Sequence, residues 1–253
     1  MFWRGRRQSE NVEDRRGTGG RKMMVAGGGL GAIVIALVVL FLGGKPEDVM
    51  QVLQPQQGSL QESPAAQREL TPQEKEAGEF AAVILADTED VWNALFQQQG
   101  AQYREPKLVL FSEYTRSACG GAASSTGPFY CPADEKVYID LDYFAEMQRR
   151  LNAPGDFAEA YVIAHEVGHH VQNLLGIMDQ VQQARSQLSQ EEYNQLSVRL
   201  ELQADFLAGV WAHHAQRMKN ILEQGDIQEG MNAASAVGDD RIQRQSQGYV
   251  VPD

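Results

Sequence analysis

The chain has 253 residues, of which 43% are apolar and 22% are charged, and its formal net charge is −12. This length and apolar content favour one folded domain with a full hydrophobic core over two domains. A strongly acidic surface repels phosphate, so the composition argues against nucleic acid as a partner. The sequence therefore indicates a single acidic globular domain.

Basic residues are concentrated at the start of the chain, where residues 1–22 carry seven Lys or Arg and three acidic residues. Residues 23–44 carry no charge and are almost wholly apolar. About 20 apolar residues span a bilayer core as a helix, so we predict a transmembrane signal-anchor over 23–44. A buried core helix and a cleaved signal peptide are the alternatives. Charges at both borders disfavour the first, and the lack of a clear cleavage site disfavours the second.

The charge asymmetry also predicts an orientation. Because Lys and Arg accumulate on the cytoplasmic side, residues 1–22 are predicted to form a basic cytoplasmic arm that contacts anionic lipid headgroups. A nucleic-acid-binding tail is the alternative, which the adjacent apolar span disfavours. Residues 45–73 are rich in Gln, Pro, Ser and Glu and are predicted to form a flexible linker. The folded domain is then 74–253, outside the cytoplasm, and its oligomeric state is not defined by the sequence.

Local patterns predict the first elements of this domain. Thr71-Pro72-Gln73-Glu74 has the pattern of a capping box and predicts a helix that runs to about residue 98. Residues 107–111 predict a strand, and residues 136–141 predict another whose alternation suits the edge of a sheet.

Two cysteines, Cys119 and Cys131, frame a loop rich in Gly, Ser and Ala. A bridge between them would stabilise such a loose loop by about 3 kcal/mol in the chain-entropy model. Two free thiols or extra metal ligands are the alternatives. Two cysteines without C-x-x-C spacing make a poor zinc site, and an exported domain lies in an oxidising compartment, so we predict a disulfide.

A long helix is predicted to begin near Asp156, with Asp156 as its N-cap and Glu159 as the reciprocal partner in a capping box, and to end at Gly176. Within it lies the run His-Glu-Val-Gly-His at 165–169. Residues four apart share a face of a helix, so His165 and His169 can bind one metal ion.

The other residues of this motif complete a hydrolytic pattern. Glu166, next to the first histidine, can take a proton from a water molecule activated by zinc. Gly168 is unfavourable in a helix interior by about 1 kcal/mol. A small residue there would leave room beside the metal or let another element pack closely.

A third ligand is expected on a second long helix, predicted from about 190 to 222. Glu201 and Asp205 are again four residues apart and share a face. Glu201 would bind the metal, and Asp205 would accept a hydrogen bond from a ligand histidine. A solvated helix face is the alternative for this pair. Shorter helices are predicted near 178–187 and 226–237.

The sequence here resembles the bacterial putative neutral zinc metallopeptidase family. The resemblance rests on Ala-His-Glu-Val-Gly-His-His-Val-Gln at 164–172, Glu-Leu-Gln-Ala-Asp at 201–205, Asn-Val-Glu-Asp-Arg-Arg-Gly at 11–17 and Gly-Pro-Phe-Tyr-Cys-Pro at 127–132. It covers nearly the whole chain. It implies an α+β, zincin-like metallopeptidase domain, mostly helical with a small sheet, behind one transmembrane helix.

The same residues are similar to the gluzincin metalloproteases. The similarity implies that His165, His169 and Glu201 bind Zn²⁺, that Glu166 is the catalytic base and that Asp205 supports a histidine. The implied substrate is a peptide or protein. The implied location is the bacterial inner (plasma) membrane, with a periplasmic or extracellular catalytic domain.

Two further expectations concern the substrate cleft. In zincin-like folds the strand before the motif helix forms the upper cleft wall, so Val137–Leu141 could bind an extended substrate, and Pro128–Pro132 could line the same cleft. A purely structural role is the alternative for both segments.

A stabiliser of the transition state is also expected. His213 and His214 are candidates, with Tyr130 and Tyr138 as further ones, although a solvated histidine pair is the alternative. His170 is predicted to support the site from outside the ligand set or to be exposed.

Two other classes of function stay open at this point. A zinc-fold adaptor or chaperone-like module would bind a partner with little hydrolysis, although a purely structural zinc site does not need a base such as Glu166. A cell-wall peptide amidase would use the same site chemistry on stem peptides.

Overall fold

The computed structural model of the chain describes residues 1–17, 69–150 and 154–237. The predicted transmembrane segment 23–44 and most of the predicted linker 45–73 lie outside these residues. Within the described ranges, no helix combines the length and apolar character needed to cross a membrane.

The fold is mixed α and β and mostly helical, as predicted. The strands are β1 (Val12–Asp14), β2 (Lys107–Phe111), β3 (Tyr114–Ser117), β4 (Gly120–Ala123), β5 (Phe129–Cys131) and β6 (Lys136–Asp140). The helices are α1 (Pro72–Gln98), α2 (Asp142–Arg150), α3 (Asp156–Leu174), α4 (Ile177–Ala184), α5 (Gln190–Lys219) and α6 (Asp226–Val237).

The described strands form a four-stranded sheet and a separate hairpin. The sheet order is β1-β2-β6-β5, with β1, β2 and β6 parallel and β5 antiparallel to β6. Strands β3 and β4 pair with each other. The predicted disulfide between Cys119 and Cys131 is confirmed, and it ties the hairpin to β5.

The prediction that β6 lies at a sheet edge is wrong. It is hydrogen-bonded to β2 on one side and to β5 on the other. Its residues from Val137 onward are buried because the sheet covers both of its flanks. The edge strands of this sheet are β1 and β5, so of the two segments predicted to line a cleft only Pro128–Pro132 includes an edge strand.

The prediction of a separate basic arm over residues 1–22, with a domain that starts at 74, is wrong for residues 1–17. Strand β1 pairs in parallel with β2, with Val12 opposite Leu108, and residues 1–17 belong to the same compact unit as the residues after 69. The arm contributes an outer strand of the main sheet and is therefore part of the folded domain.

Side chains from this segment enter the core and pair with α1. Trp3 is 8% exposed and its ring meets Phe80 edge-on at 5.3 Å. Three of the arginines predicted to contact lipid, Arg4, Arg6 and Arg7, form ion pairs with α1 instead, and Arg7 lies 3.0 Å from Glu89 and 2.7 Å from Asp90. The amino nitrogen of Met1 lies 2.7 Å from Asp156 Oδ1.

The structure confirms only part of the helix capping that the sequence predicts. Thr71 and Glu74 form the predicted capping box of α1. The prediction of Asp156 as the N-cap of α3 is wrong, because Gly155, with φ of 114°, occupies that position and Asp156 is the first helical residue. At the end of α5, Asn220 adopts a left-handed conformation, which terminates the helix at Lys219.

Helix α3 lies at the centre of the fold and packs against α1, α5, α6 and the sheet. Helix α5 approaches α3 closely at Gly168. A Cβ added there would lie 3.0 Å from the backbone oxygen of Ala204 and 3.3 Å from its Cα. The sequence-based interpretation of Gly168 as a site of close packing is therefore confirmed, and this contact sets the distance between the two helices.

We expect Trp3→Ala to lower the free energy of unfolding by about 3–5 kcal/mol, because a buried aromatic side chain leaves a cavity. The neighbouring Phe2 is 54% exposed and is the matched control, with an expected change below about 1 kcal/mol for Phe2→Ala. Urea unfolding of the full chain measures both. Equal, small effects of the two substitutions would show that the N-terminal segment is not part of the core.

Candidate metal centre

Three of the predicted residues converge where α3 and α5 meet. The Nε2 atom of His165 lies 3.3 Å from Oε2 of Glu201, and the Nε2 atom of His169 lies 3.4 Å from the same oxygen. One ligand atom from each of the three residues falls within 4.8 Å of the others. The sequence-predicted ligand set is thus brought together from two helices.

These separations match the size of a zinc ion. Ligands in tetrahedral coordination at roughly 2.1 Å from Zn²⁺ lie about 3.4 Å from one another. Carboxylates and neutral imidazoles that share such a point are typical zinc donors. The residues present therefore fit a zinc ion in both geometry and chemistry.

The orientation of His165 is fixed by Asp205. The Nδ1 atom of His165 lies 2.8 Å from Oδ1 of Asp205, and a carboxylate oxygen accepts, so Nδ1 carries the proton and donates. The lone pair on Nε2 then points to the shared position. The hydroxyl of Tyr161, one turn earlier on α3, donates to the same Asp205 oxygen and holds the carboxylate in place.

The orientation of His169 is fixed by Gln172. The Nδ1 atom of His169 lies 2.9 Å from Oε1 of Gln172. The amide nitrogen of Gln172 donates to the backbone oxygen of Leu200 at 2.7 Å, which fixes the amide orientation, so its oxygen must accept from His169. Both histidines thus direct Nε2 at the shared position, which is the atom that a metal would bind.

The electrostatics of the site favour a cation. Burial alone would lower the pKa of His165, but hydrogen bonds with Asp205 and Glu201 outweigh it and raise the pKa to about 10. Burial also acts against the charged form of His169, yet Glu201 and Glu166 raise its pKa. Burial would raise the pKa of Glu201, but the two histidines bring it below its ordinary range. A divalent ion would balance the negative potential that these carboxylates create.

Glu166 is buried at 8% exposure beside the first ligand. Its negative charge contributes to the raised pKa of both His165 and His169, which places it within electrostatic range of the metal position. Burial, and then Glu166, raises the pKa of Tyr143 on α2 to about 12, so this tyrosine also lies near the base.

The remaining predicted histidines do not join the site. His213 and His214 lie twelve and thirteen positions after Glu201 on α5, which at 1.5 Å per residue is about 18–20 Å along the helix axis. The prediction that either one stabilises the reaction at the metal is therefore not supported by their position. His213 instead lines an apolar cavity.

His170 is fully buried, so the predicted exposed position is wrong. Its Nε2 donates to the backbone oxygen of Arg104 at 2.6 Å, and its Nδ1 accepts from the hydroxyl of Tyr130 at 3.0 Å. Burial lowers its pKa. Because Tyr130 is bound to His170 and Asn173, and Tyr138 donates to Asp134, neither predicted tyrosine is held at the metal ligands.

Sequence reasoning missed Tyr161 and Gln172. Tyr161 lies four residues before His165, so the helical spacing that identified the histidines also places Tyr161 on the metal-facing side. Gln172 lies three residues after His169 and offered the same signal. Both were overlooked because neither residue type is a common metal ligand.

Two histidines and one glutamate that can hold a metal, with a second glutamate beside them, are the arrangement typical of metal-dependent hydrolases. The comparisons agree with that class. The family model described as putative neutral zinc metallopeptidase matches residues 1–253, and the chain belongs to this family.

Relatives of known sequence share the whole domain. The chain is 50% identical to the "Uncharacterized protein YpfJ" of Escherichia coli K12 over 258 residues, which covers 100% of this chain and 88% of that one. It is 40% identical to the "Uncharacterized protein Rv2575" of Mycobacterium tuberculosis H37Rv over 188 residues, which covers 70% and 62% of the two chains. No solved structure matches the chain at a significant level.

We expect the purified full chain to bind one zinc ion and His169→Ala to lose it, because two donors do not retain the metal against a chelator. His214→Ala is the matched control and should keep full zinc content. Metal analysis after dialysis against a weak chelator measures both. Retention of zinc by His169→Ala would place the ion elsewhere.

Proposed function

We propose that this protein is a zinc-dependent peptidase that hydrolyses peptide bonds with Glu166 as general base. The observation that carries the proposal is the convergence of His165, His169 and Glu201 on one point beside the carboxylate of Glu166. Membership of a zinc metallopeptidase family supports the same class of reaction.

The number of ligands supports a catalytic role for the metal. Catalytic zinc sites typically use three protein ligands and keep one position open, whereas structural sites use four. Among the residues that the structure describes, the donors gathered at this point are His165, His169 and Glu201. The exposed part of Glu201, whose side chain is 43% accessible, indicates that the open side faces solvent.

A bound Zn²⁺ would supply Lewis acidity, which polarises a peptide carbonyl and makes water acidic enough to react near neutral pH. The chain supplies the proton transfers. A carboxylate oxygen of Glu166 takes a proton from the attacking water and then delivers it to the nitrogen of the leaving amine. Burial of Glu166 keeps this transfer away from bulk solvent.

The surrounding residues keep the ligands in a reactive arrangement. Asp205 and Tyr161 hold the ring of His165, and Gln172 holds the ring of His169. Such partners commonly change metal affinity or activity by about 10–100-fold when they are removed. The site therefore has the supporting contacts that a zincin-like hydrolase needs.

We expect Glu166→Gln to lower the rate of peptide hydrolysis by about 10²–10⁴-fold, since the amide cannot accept the proton. Zinc content should be unchanged, because Glu166 is not a ligand. The full-length wild type and the variant are each incubated with casein and with purified muropeptides, and mass spectrometry detects the cleavage products.

The outcomes separate the competing functions. Cleavage of muropeptides but not casein would identify a cell-wall amidase in place of a protein peptidase. Equal activity of wild type and Glu166→Gln, or none from either with zinc bound, would contradict catalysis and favour an adaptor.

We further propose that the domain acts on the non-cytoplasmic side of the bacterial inner membrane. The disulfide between Cys119 and Cys131 supports an oxidising compartment. The pairing of β1 with β2 revises the predicted orientation, because a bilayer cannot lie between two strands of one sheet. Residues 1–17 and the domain should therefore lie on the same side of the membrane, and a single bilayer span between them is not part of this proposal.

We expect Gln8→Cys and Gln195→Cys, two exposed glutamines in the N-terminal segment and in α5, to react alike with a membrane-impermeant maleimide on intact spheroplasts. The native cysteines are bridged and do not compete. Lysed cells provide the control for full reactivity. Labelling of position 195 without position 8 would restore the predicted cytoplasmic N-terminus.

A further inference from the structure

A cavity of about 720 Å³ opens between α3, α5 and α6. Tyr161 and Asp205 form one end of it, and both are in hydrogen-bond contact around His165. The cavity therefore begins one side chain away from a metal ligand. From there it continues along the face of α5 that carries Glu201 and Asp205, as far as His213 and Gln216.

The walls of this cavity are mainly apolar. Phe157 and Trp211 stack at 6.0 Å on the inner side, and Ile227 and Met231 of α6 form part of the outer wall. Ile227 is 57% exposed and Met231 is 61% exposed. Large apolar side chains that face solvent beside a cleft are typical of a binding surface.

The space exists because small residues face it. Ala208, Gly209 and Ala212 line it from α5, and Gly230 and Ala234 line it from α6. A Cβ added at Gly209 would meet nothing within 4 Å, so the cavity is open at that point. The volume of the cavity falls in the range of about 300–1,000 Å³ that is typical of ligand pockets.

Position and polarity indicate which group enters the cavity. Because Tyr161 and Asp205 line the cavity and Asp205 is hydrogen-bonded to His165, its position favours a part of the molecule being cleaved over an unrelated ligand. Tyr161, Asp205, His213, Gln216 and Arg217 are the polar side chains on its lining, and such groups can bind backbone amides that flank an apolar side chain.

We propose that this cavity is a specificity subsite that takes a large apolar side chain, aromatic or long aliphatic, close to the bond that the peptidase cleaves. The inference rests on the proposed function and deepens it by naming the substrate class. Gly209 is the specificity-determining position, because its missing side chain leaves room for the substrate group.

The test uses otherwise identical decapeptides of Ala and Ser whose central residue is Phe, Leu, Ser or Gly. We expect wild-type kcat/KM to be at least 10-fold higher for Phe or Leu than for Gly, with the cleaved bond at a fixed distance from the apolar residue. Gly209→Leu should fill the cavity and lower this ratio at least 10-fold, mainly through the Phe peptide. Met231→Gln should lower it in the same direction.

Controls keep the test decisive. Gln195→Leu, an exposed position of α5 outside the cavity, should leave the ratio unchanged, and zinc content with urea unfolding verifies that each variant is folded. A ratio for Gly209→Leu and Met231→Gln equal to that of wild type would overturn the subsite. The proposed function would still stand if the peptides are cleaved.

A binding measurement separates the two ideas in the opposite case. Zinc-loaded Glu166→Gln should bind the Phe peptide at least 10-fold more tightly than the Gly peptide in calorimetry, and Gly209→Leu in the same background should abolish the difference. That result without cleavage by wild type would sustain the subsite and contradict only the peptidase. Equal affinities for the two peptides would overturn the subsite directly.

Discussion

The site depends on how closely α3 approaches α5. At Gly168 the backbone of α5 lies so near that a Cβ would meet the Ala204 oxygen at 3.0 Å. Two helices that pack through larger side chains lie about 8–10 Å apart, and the carboxylate of Glu201 has a short reach. A larger residue at 168 would push the helices apart and separate Glu201 from the histidines. The cost of glycine in a helix interior is offset by the metal centre that it permits.

The hydrogen bonds between the two helices run from donors on α3 to acceptors on α5. Asp205 of α5 binds His165 of α3, and Gln172 of α3 binds the Leu200 oxygen of α5. The same bonds that hold the helices together also fix both imidazole tautomers. Three buried or half-buried carboxylates then create a potential that a cation must balance, so the metal would also stabilise the packing of α3 on α5.

The sequence predicted the parts of this structure that depend on local spacing. His165, His169, Glu201 and Asp205 were found because residues four apart share a helix face, and the Thr71 cap was found because its partner is three residues away. Strand β1 was missed because Val-Glu-Asp has no strand pattern and pairs with residues far along the chain. The alternation of residues 136–141 suggests an edge strand, but β6 lies inside the sheet. Strand order is set by tertiary pairing, which the pattern of a single segment does not show.

The arginines of the first 17 residues fit two interpretations, a lipid-binding flank and ion pairs within the fold, and composition alone favours the first. A run of arginines before an apolar stretch is typical of a cytoplasmic flank, yet Arg7 and Arg16 are paired with carboxylates of the domain or of its own strand. Ion pairs with buried partners such as Glu89 are not available to lipid headgroups. The N-terminal segment is therefore part of the fold, and its strand and its arginines contribute to the packing of the domain.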